Sequence, residues 1–151
     1  MGMYTIAIVF DKNKQNVLML YHLKQHAYNF PGGNIEECEN EMDACYRELF
    51  EETGIKREDV DLHFVRLERV TLWSDVYSLH VATGVLKRDV QLVEEINPLH
   101  WVRVTDRETF LNAYRDGNAY TFLLQAIQCL DHVEEMENAK RIKDSEKPVT
   151  Q

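Results

Sequence analysis

Gly33-Asn34-Ile35-Glu36-Glu37-Cys38-Glu39-Asn40-Glu41-Met42-Asp43-Ala44-Cys45-Tyr46-Arg47-Glu48-Leu49-Phe50-Glu51-Glu52-Thr53-Gly54-Ile55 carries more physical information than any other stretch of this 151-residue chain. No Gly or Pro interrupts the run from Asn40 to Thr53. Asn40 suits a helix N-cap, and Gly54 suits the left-handed residue that ends a helix. A helix is predicted between them. Each residue turns a helix by about 100°, so Glu48 and Glu52 stand one turn apart with Glu51 roughly 60° from Glu48. Met42, Cys45, Tyr46 and Leu49 fall on a neighbouring stripe that can bury against a sheet. One face therefore meets a core, and three carboxylates stand beside it.

Like charges at this spacing repel by roughly 0.2–0.5 kcal/mol per pair. A solvated surface can carry such a face without any use for it. Hard divalent cations remove the repulsion, because Mg²⁺ and Mn²⁺ favour carboxylate oxygen. Upstream, Gly32-Gly33 lets backbone carbonyls approach the same point. The wider spacing separates the two readings. Gly-x5-Glu-x7-Arg-Glu-apolar-x-Glu-Glu-x-Gly-apolar is met at all nine constrained positions. At average residue frequencies a chance match is on the order of 10⁻⁷.

Outward from this segment, Tyr4–Phe10 and Val17–Tyr21 read as strands joined by a polar turn into a hairpin. Phe30-Pro31-Gly32-Gly33 reads as a loop. Strand-like stretches recur near Leu62–Leu67, Val76–Leu86 and Leu99–Val104. Thr105-Asp106-Arg107-Glu108 has capping-box form and predicts a short helix ending near Gly117. A longer helix is predicted from about Tyr120 to the Met136 region, burying Phe122, Leu123, Ile127, Leu130 and Val133. Its apolar spacing serves packing on its own sheet or a homodimer contact. Residues 1–138 are expected to form one α/β domain, and 139–151 a charged, disordered tail.

Composition narrows the function. Asp and Glu total 26 against 17 Lys and Arg, a net charge of −9. Such a surface repels a polyphosphate strand, which argues against a nucleic-acid polymer as partner while leaving a small phosphorylated ligand open. The longest apolar run, Ile6–Phe10, is far too short to span a membrane. With no basic-then-apolar leader and three cysteines lacking a CxxC pair, a cytoplasmic setting is expected. No Gly-x-Ser-x-Gly, Walker A or HExxH pattern occurs, so serine-hydrolase, P-loop and zinc chemistry are disfavoured.

The pattern is the Nudix box, and the chain resembles the Nudix hydrolase superfamily, in particular its MutT-like members. The resemblance implies an α/β/α sandwich with a mixed sheet between helices. It also implies Mg²⁺- or Mn²⁺-dependent hydrolysis of a nucleoside diphosphate linked to another group. Carried over by position, Glu48, Glu51 and Glu52 are implied metal ligands together with the Gly33 carbonyl. Arg47 is the implied orienting arginine, with Glu39 its structural partner. The family often has Gly just before the first box glutamate, where this chain has Cys38. The general base stays open among Glu51, Glu48 and Glu95, the last lying in the Glu94-Glu95 loop. A nucleoside triphosphate, including an oxidised purine deoxynucleotide, is the expected small-molecule substrate. Tyr4, Tyr28, Phe30 and Trp73 are candidate base-stacking residues, Lys24 a phosphate contact, and Asn118 a contact to a purine edge. ADP-ribose, a nucleotide sugar, a dinucleoside polyphosphate, or binding without turnover are the alternatives.

Overall fold

Strand β1 (Gly2–Phe10) alternates its side chains between two cores, which explains why its run from Thr5 to Phe10 is buried throughout. Ile6, Ile8 and Phe10 enter one cluster, while Ala7 and Val9 enter another on the opposite face. A strand covered on both faces has no polar side to display, so continuous apolar sequence is its natural form.

The computed structural model describes residues 2–115 and 118–146, without the side chains of residues 115 and 118. The other strands are β2 (Asn16–His22), β3 (Ala27–Asn29), β4 (Gly32–Asn34), β5 (His63–Leu72), β6 (Asp75–Val85) and β7 (Leu99–Arg103). They form a seven-stranded sheet ordered β3-β2-β1-β6-β5, with β4 added to β1 and β7 to β2. The β1–β6 pairing is parallel and the others antiparallel, so the sheet is mixed, as expected. Helix α1 (Glu41–Thr53) covers one face through Cys45 and Leu49. Helices α2 (Arg107–Asn112) and α3 (Asn118–Ser145) cover the other through Phe110, Phe122, Leu123 and Leu130. The arrangement is an α/β/α sandwich. Among the described residues no helix is long and apolar enough to cross a membrane.

Three sequence expectations change here, and one tight turn appears that the sequence did not announce. The N-terminal hairpin exists only at its base, where Phe10 pairs with Val17. Beyond it the strands part, and β4 enters to pair with β1, Tyr4 facing Asn34 and Ile6 facing Gly32. That opening lets the segment before α1 into the sheet. The short helix α2 is capped by Asp106, whose carboxylate accepts the Thr109 N–H at 3.3 Å, so Thr105 is not its cap. The β5–β6 connection turns on Trp73 and Ser74 at φ 50° and 71°, a two-residue turn that usually calls for Asn or Gly.

Lastly, α3 runs to Ser145, beyond the Met136 region and into the stretch expected to be disordered. Its outer part touches no core, with every residue from 134 to 145 exposed. Helix-favouring Glu, Lys, Arg and Ala, with Glu137 and Arg141 four residues apart, explain its persistence. Residues 147–151 lie outside the described residues.

Candidate active site

Asn40 caps α1 as the sequence predicts, its side-chain oxygen accepting the Asp43 N–H at 2.8 Å. Gly54 closes the helix at φ 79°. Cys45 and Leu49 are buried, which turns Glu48 and Glu52 toward β4 and β1. Local signals at both ends thus fix where the carboxylates stand.

Arg47 is the organiser of the cluster. Its Nε donates to Glu39 Oε2 at 2.7 Å and its NH2 to Glu39 Oε1 at 2.9 Å, a bidentate grip. The same guanidinium reaches Glu48 at 3.0 Å, Glu51 at 3.3 Å and the Asn34 carbonyl at 3.1 Å. One cation therefore ties the loop before α1 to two helix glutamates. The grip on Glu39 lowers that carboxyl's pKa to about 2, with the Glu36 N–H as a second donor.

Cys38 holds φ 67°. This is the left-handed region that side chains other than Gly tolerate poorly. The Cys in place of the family's common Gly is therefore accommodated in a glycine conformation. Because Cys38 is exposed, Cys38→Gly should relieve this strain with no packing lost. Stability should rise by about 0.5–1 kcal/mol, read by urea titration.

Glu52 sits deeper. Its Oε2 accepts the Gly32 N–H at 3.3 Å. Burial, followed by the Glu48 charge, pushes its carboxyl up to about 8. Burial also raises Glu48, opposed by Arg47 and assisted by Glu51 and Glu95. Glu95 comes from the loop before β7 and shares a small cleft with Glu52, Leu20, Ile96 and Asn97. Its neighbour Glu94 has a different task, accepting the Leu99 N–H at 2.6 Å where β7 begins. The acidic loop therefore divides into one structural residue and one that faces the site.

Gly33 forms the wall opposite Glu48. A Cβ there would lie 2.2 Å from the Glu48 carboxyl carbon. A Cβ on Gly32 would instead lie 2.1 Å from the Thr5 carbonyl oxygen. The first glycine makes room for a functional side chain, the second for the sheet.

This donor set fits a hard divalent cation. It offers carboxylate oxygen without thiol or imidazole, carries negative charge beyond what Arg47 balances, and includes a carboxyl whose ionisation is suppressed by burial and by the Glu48 charge. Among the described residues no three such groups yet meet at one point. Arg47 draws Glu48 and Glu51 to itself, and Glu52 leans on Gly32.

The substrate-binding candidates scatter. Phe30 is a correction: its ring is 2% exposed, stacked against Phe110 at 6.4 Å, with its N–H donating to the Tyr114 hydroxyl. It is core and presents no face to a base. Tyr28 packs edge-on against Tyr21 and His100, beside a depression lined by His26, Glu108 and Asn112 and not by Glu48, Glu51, Glu52 or Glu95. Lys24 is exposed in the turn between β2 and β3, where its charge lowers the pKa of His22 after burial does so. Asn118 begins α3, but its side chain lies outside the described residues. Tyr4 does stand beside the glutamates: its phenol is raised by burial and then by Glu52 and Glu48. Trp73 meets it edge-on at 5.5 Å, and Tyr77 at 5.4 Å. The Gly32 N–H and Asn97, absent from the sequence reading, also belong to the site; the Asn97-Pro98 turn was the available signal.

The NUDIX domain family profile matches residues 2–123 of the chain. An 8-oxo-dGDP phosphatase of Danio rerio is 29% identical over 101 residues, covering 65% of this chain and 31% of that protein. An RNA pyrophosphohydrolase of Psychromonas ingrahamii is 42% identical over 57 residues, covering 38% of this chain and 32% of that protein. The chain thus spans about a third of the length of these curated relatives. Among solved structures, the E. coli dihydroneopterin triphosphate pyrophosphohydrolase superposes with a TM-score of 0.73 at 17% identity, covering 83% of this chain and 95% of that one. A binary complex of C. elegans Ap4A hydrolase gives 0.69 at 19% identity, covering 87% and 99%. At these identities the structural likeness concerns the fold.

Proposed function

Since the chain belongs to the NUDIX domain family, we propose that it is a divalent-metal-dependent hydrolase of phosphoric anhydride bonds, cleaving a nucleoside triphosphate to a monophosphate and pyrophosphate. Oxidised purine deoxynucleotides are the first substrates to test, because the Danio rerio relative is described as acting on 8-oxo-dGDP. One observation carries the reading: Arg47, held by Glu39, gathers Glu48 and Glu51 beside the half-buried Glu52, against a glycine that leaves Glu48 its space.

Glu48, Glu51, Glu52 and the Gly33 carbonyl would hold Mg²⁺ or Mn²⁺. When bound, such an ion neutralises the diphosphate and lowers the pKa of a coordinated water. The chain's own residues do the rest. Arg47 fixes two carboxylates from one guanidinium, so their spacing does not depend on side-chain entropy alone. Tyr4 and Trp73 supply an apolar wall next to the glutamates.

We assign proton abstraction to Glu95. It faces the Glu52 cleft, and among the described residues no hydrogen bond or ion pair holds its carboxylate, whereas the Glu48 and Glu51 carboxylates are both held by Arg47. Glu95→Gln should lower kcat by about 10²–10⁴-fold with KM little changed. Glu94→Gln, which disturbs only the start of β7, should leave kcat within about tenfold of wild type on the same scale. Equal losses in the two variants would remove the assignment.

The function itself is tested by phosphate release over a nucleotide panel with Mg²⁺ and added pyrophosphatase. Turnover of a triphosphate that stops with EDTA and returns with Mg²⁺ supports it. Preference for a sugar-linked or dinucleoside diphosphate over every triphosphate, or nucleotide binding without turnover, overturns it.

A further inference from the structure

Strand β5 is the outer strand of the sheet, and among the described residues nothing pairs with its free side. Ten residues long, it contains no Pro or Lys, two residues that commonly blunt an edge. Two of its large apolar side chains stand half in water, Phe64 at 55% and Leu67 at 52% exposure. They border a groove shared with Met42 of α1 and His80 of β6. Arg66 and Glu68 project together from the strand, 2.7 Å apart, with Arg69 next in line.

We propose that β5 pairs with the β5 of a second copy, antiparallel and centred on Leu67, so that the sheet continues across a two-fold axis. Directly opposed residues in an antiparallel ladder share a face. The axis must therefore pass beside a residue and not between two. Centring on Arg66, Glu68 or Arg69 sets each against its own copy and like charge against like. Centring on Leu67 sets Arg66 against the partner's Glu68, Glu68 against the partner's Arg66, and Leu67 against the partner's Leu67. Of these four registers, this one alone has self-complementary charges. The bulge between Phe64 and Arg66 marks one limit of the run, where the Cys129 thiol of α3 also donates to the Phe64 carbonyl at 3.6 Å. The shared ladder then covers Arg66 to Glu68. Such an isologous contact closes on itself and gives dimers without fibres.

Sedimentation velocity on the full chain tests the register. The wild type should be a concentration-dependent dimer. Glu68→Arg and Arg66→Glu should each weaken self-association at least tenfold, because each places like charges opposite one another twice. An equimolar mixture of these two variants should regain the wild-type dimer. One variant then brings two guanidinium groups to the ladder and the other two carboxylates, so every cross-strand charge pair is again of opposite sign. An intrachain role for the Arg66–Glu68 pair cannot give that rescue. Should either variant lose its helical circular dichroism, Leu67→Lys replaces it, placing two ammonium groups at the axis with the same tenfold loss expected. A monomeric wild type at millimolar concentration, variants that dimerise unchanged, or a mixture that stays monomeric would each overturn the proposal.

Discussion

Replacing Glu52 with Gln is expected to abolish turnover while making the metal-free protein more stable at alkaline pH. The two effects share one cause. In the folded chain the Glu52 carboxyl titrates at about 8, raised first by burial and then by Glu48. Unfolded, it titrates near its ordinary value of 4.5. Between those values the folded state keeps a proton that the unfolded chain has lost. Linkage therefore makes its contribution greatest in acid and steadily smaller as pH rises toward 8. A shift of that size corresponds to a penalty on the order of 4 kcal/mol at pH 8. Gln cannot ionise and escapes it. The melting temperature of metal-free Glu52→Gln should exceed that of the wild type by about 8–16 °C at pH 8–9 and match it below about pH 4. Mg²⁺ should stabilise the wild type strongly at pH 8 and the variant much less. Loss of a charged ligand should lower kcat at least a thousandfold. Calorimetry with and without EDTA, beside steady-state kinetics, reads both arms. A variant that melts below the wild type at pH 8 would sink this account of the site.

The adjacent glycines should separate stability from activity. Alanine at Gly32 drives its Cβ into a backbone carbonyl of β1, which cannot move without opening the β1–β4 pairing. Several kcal/mol of stability should be lost, on the scale of an overpacked core or more. Alanine at Gly33 meets only the end of the Glu48 side chain. That carboxylate can swing aside, so Gly33→Ala should cost no more than about 1–2 kcal/mol. The displaced Glu48 then no longer stands where Arg47 holds it, and kcat should fall at least a hundredfold. Urea midpoints and kinetics on both variants decide the matter. Similar stability losses in the two would mean that Glu48 is more tightly confined than its contacts indicate.

What could be read ahead of the structure was whatever carries its signal locally. Asn40 and Gly54 announce the ends of α1, and the spacing of Cys45 and Leu49 announces its buried face. From those four residues the glutamate cluster follows. The apolar run within Tyr4–Phe10 identified a strand but could not say that both of its faces are covered. That depends on α1 on one side and on Phe122 and Leu123, more than a hundred residues downstream, on the other. Phe30 was misjudged for the same reason: an aromatic before Pro-Gly-Gly reads as a loop residue, and only Phe110 and Tyr114 reveal it as core. The parting of β1 and β2 was illegible because β4 and β6, not the turn between the strands, determine it. Trp73-Ser74 concealed a tight turn because the chain adopts left-handed backbone there without the residues that usually advertise it.

The three thiols differ sharply in chemical character. Cys45 is sealed in the core, its Sγ donating to the Ile6 carbonyl at 3.6 Å and its pKa pushed up to about 12 by burial. Cys129 is half covered beneath the sheet edge, and burial raises it as well. Cys38 alone among them is exposed, one residue from the glutamate that anchors Arg47. Alkylating reagents must therefore select Cys38 kinetically, since attack requires an accessible thiolate. A maleimide dye attached there would occupy the rim of the carboxylate cluster. Its emission would then report cation and nucleotide titrations on wild-type protein, with no engineered label.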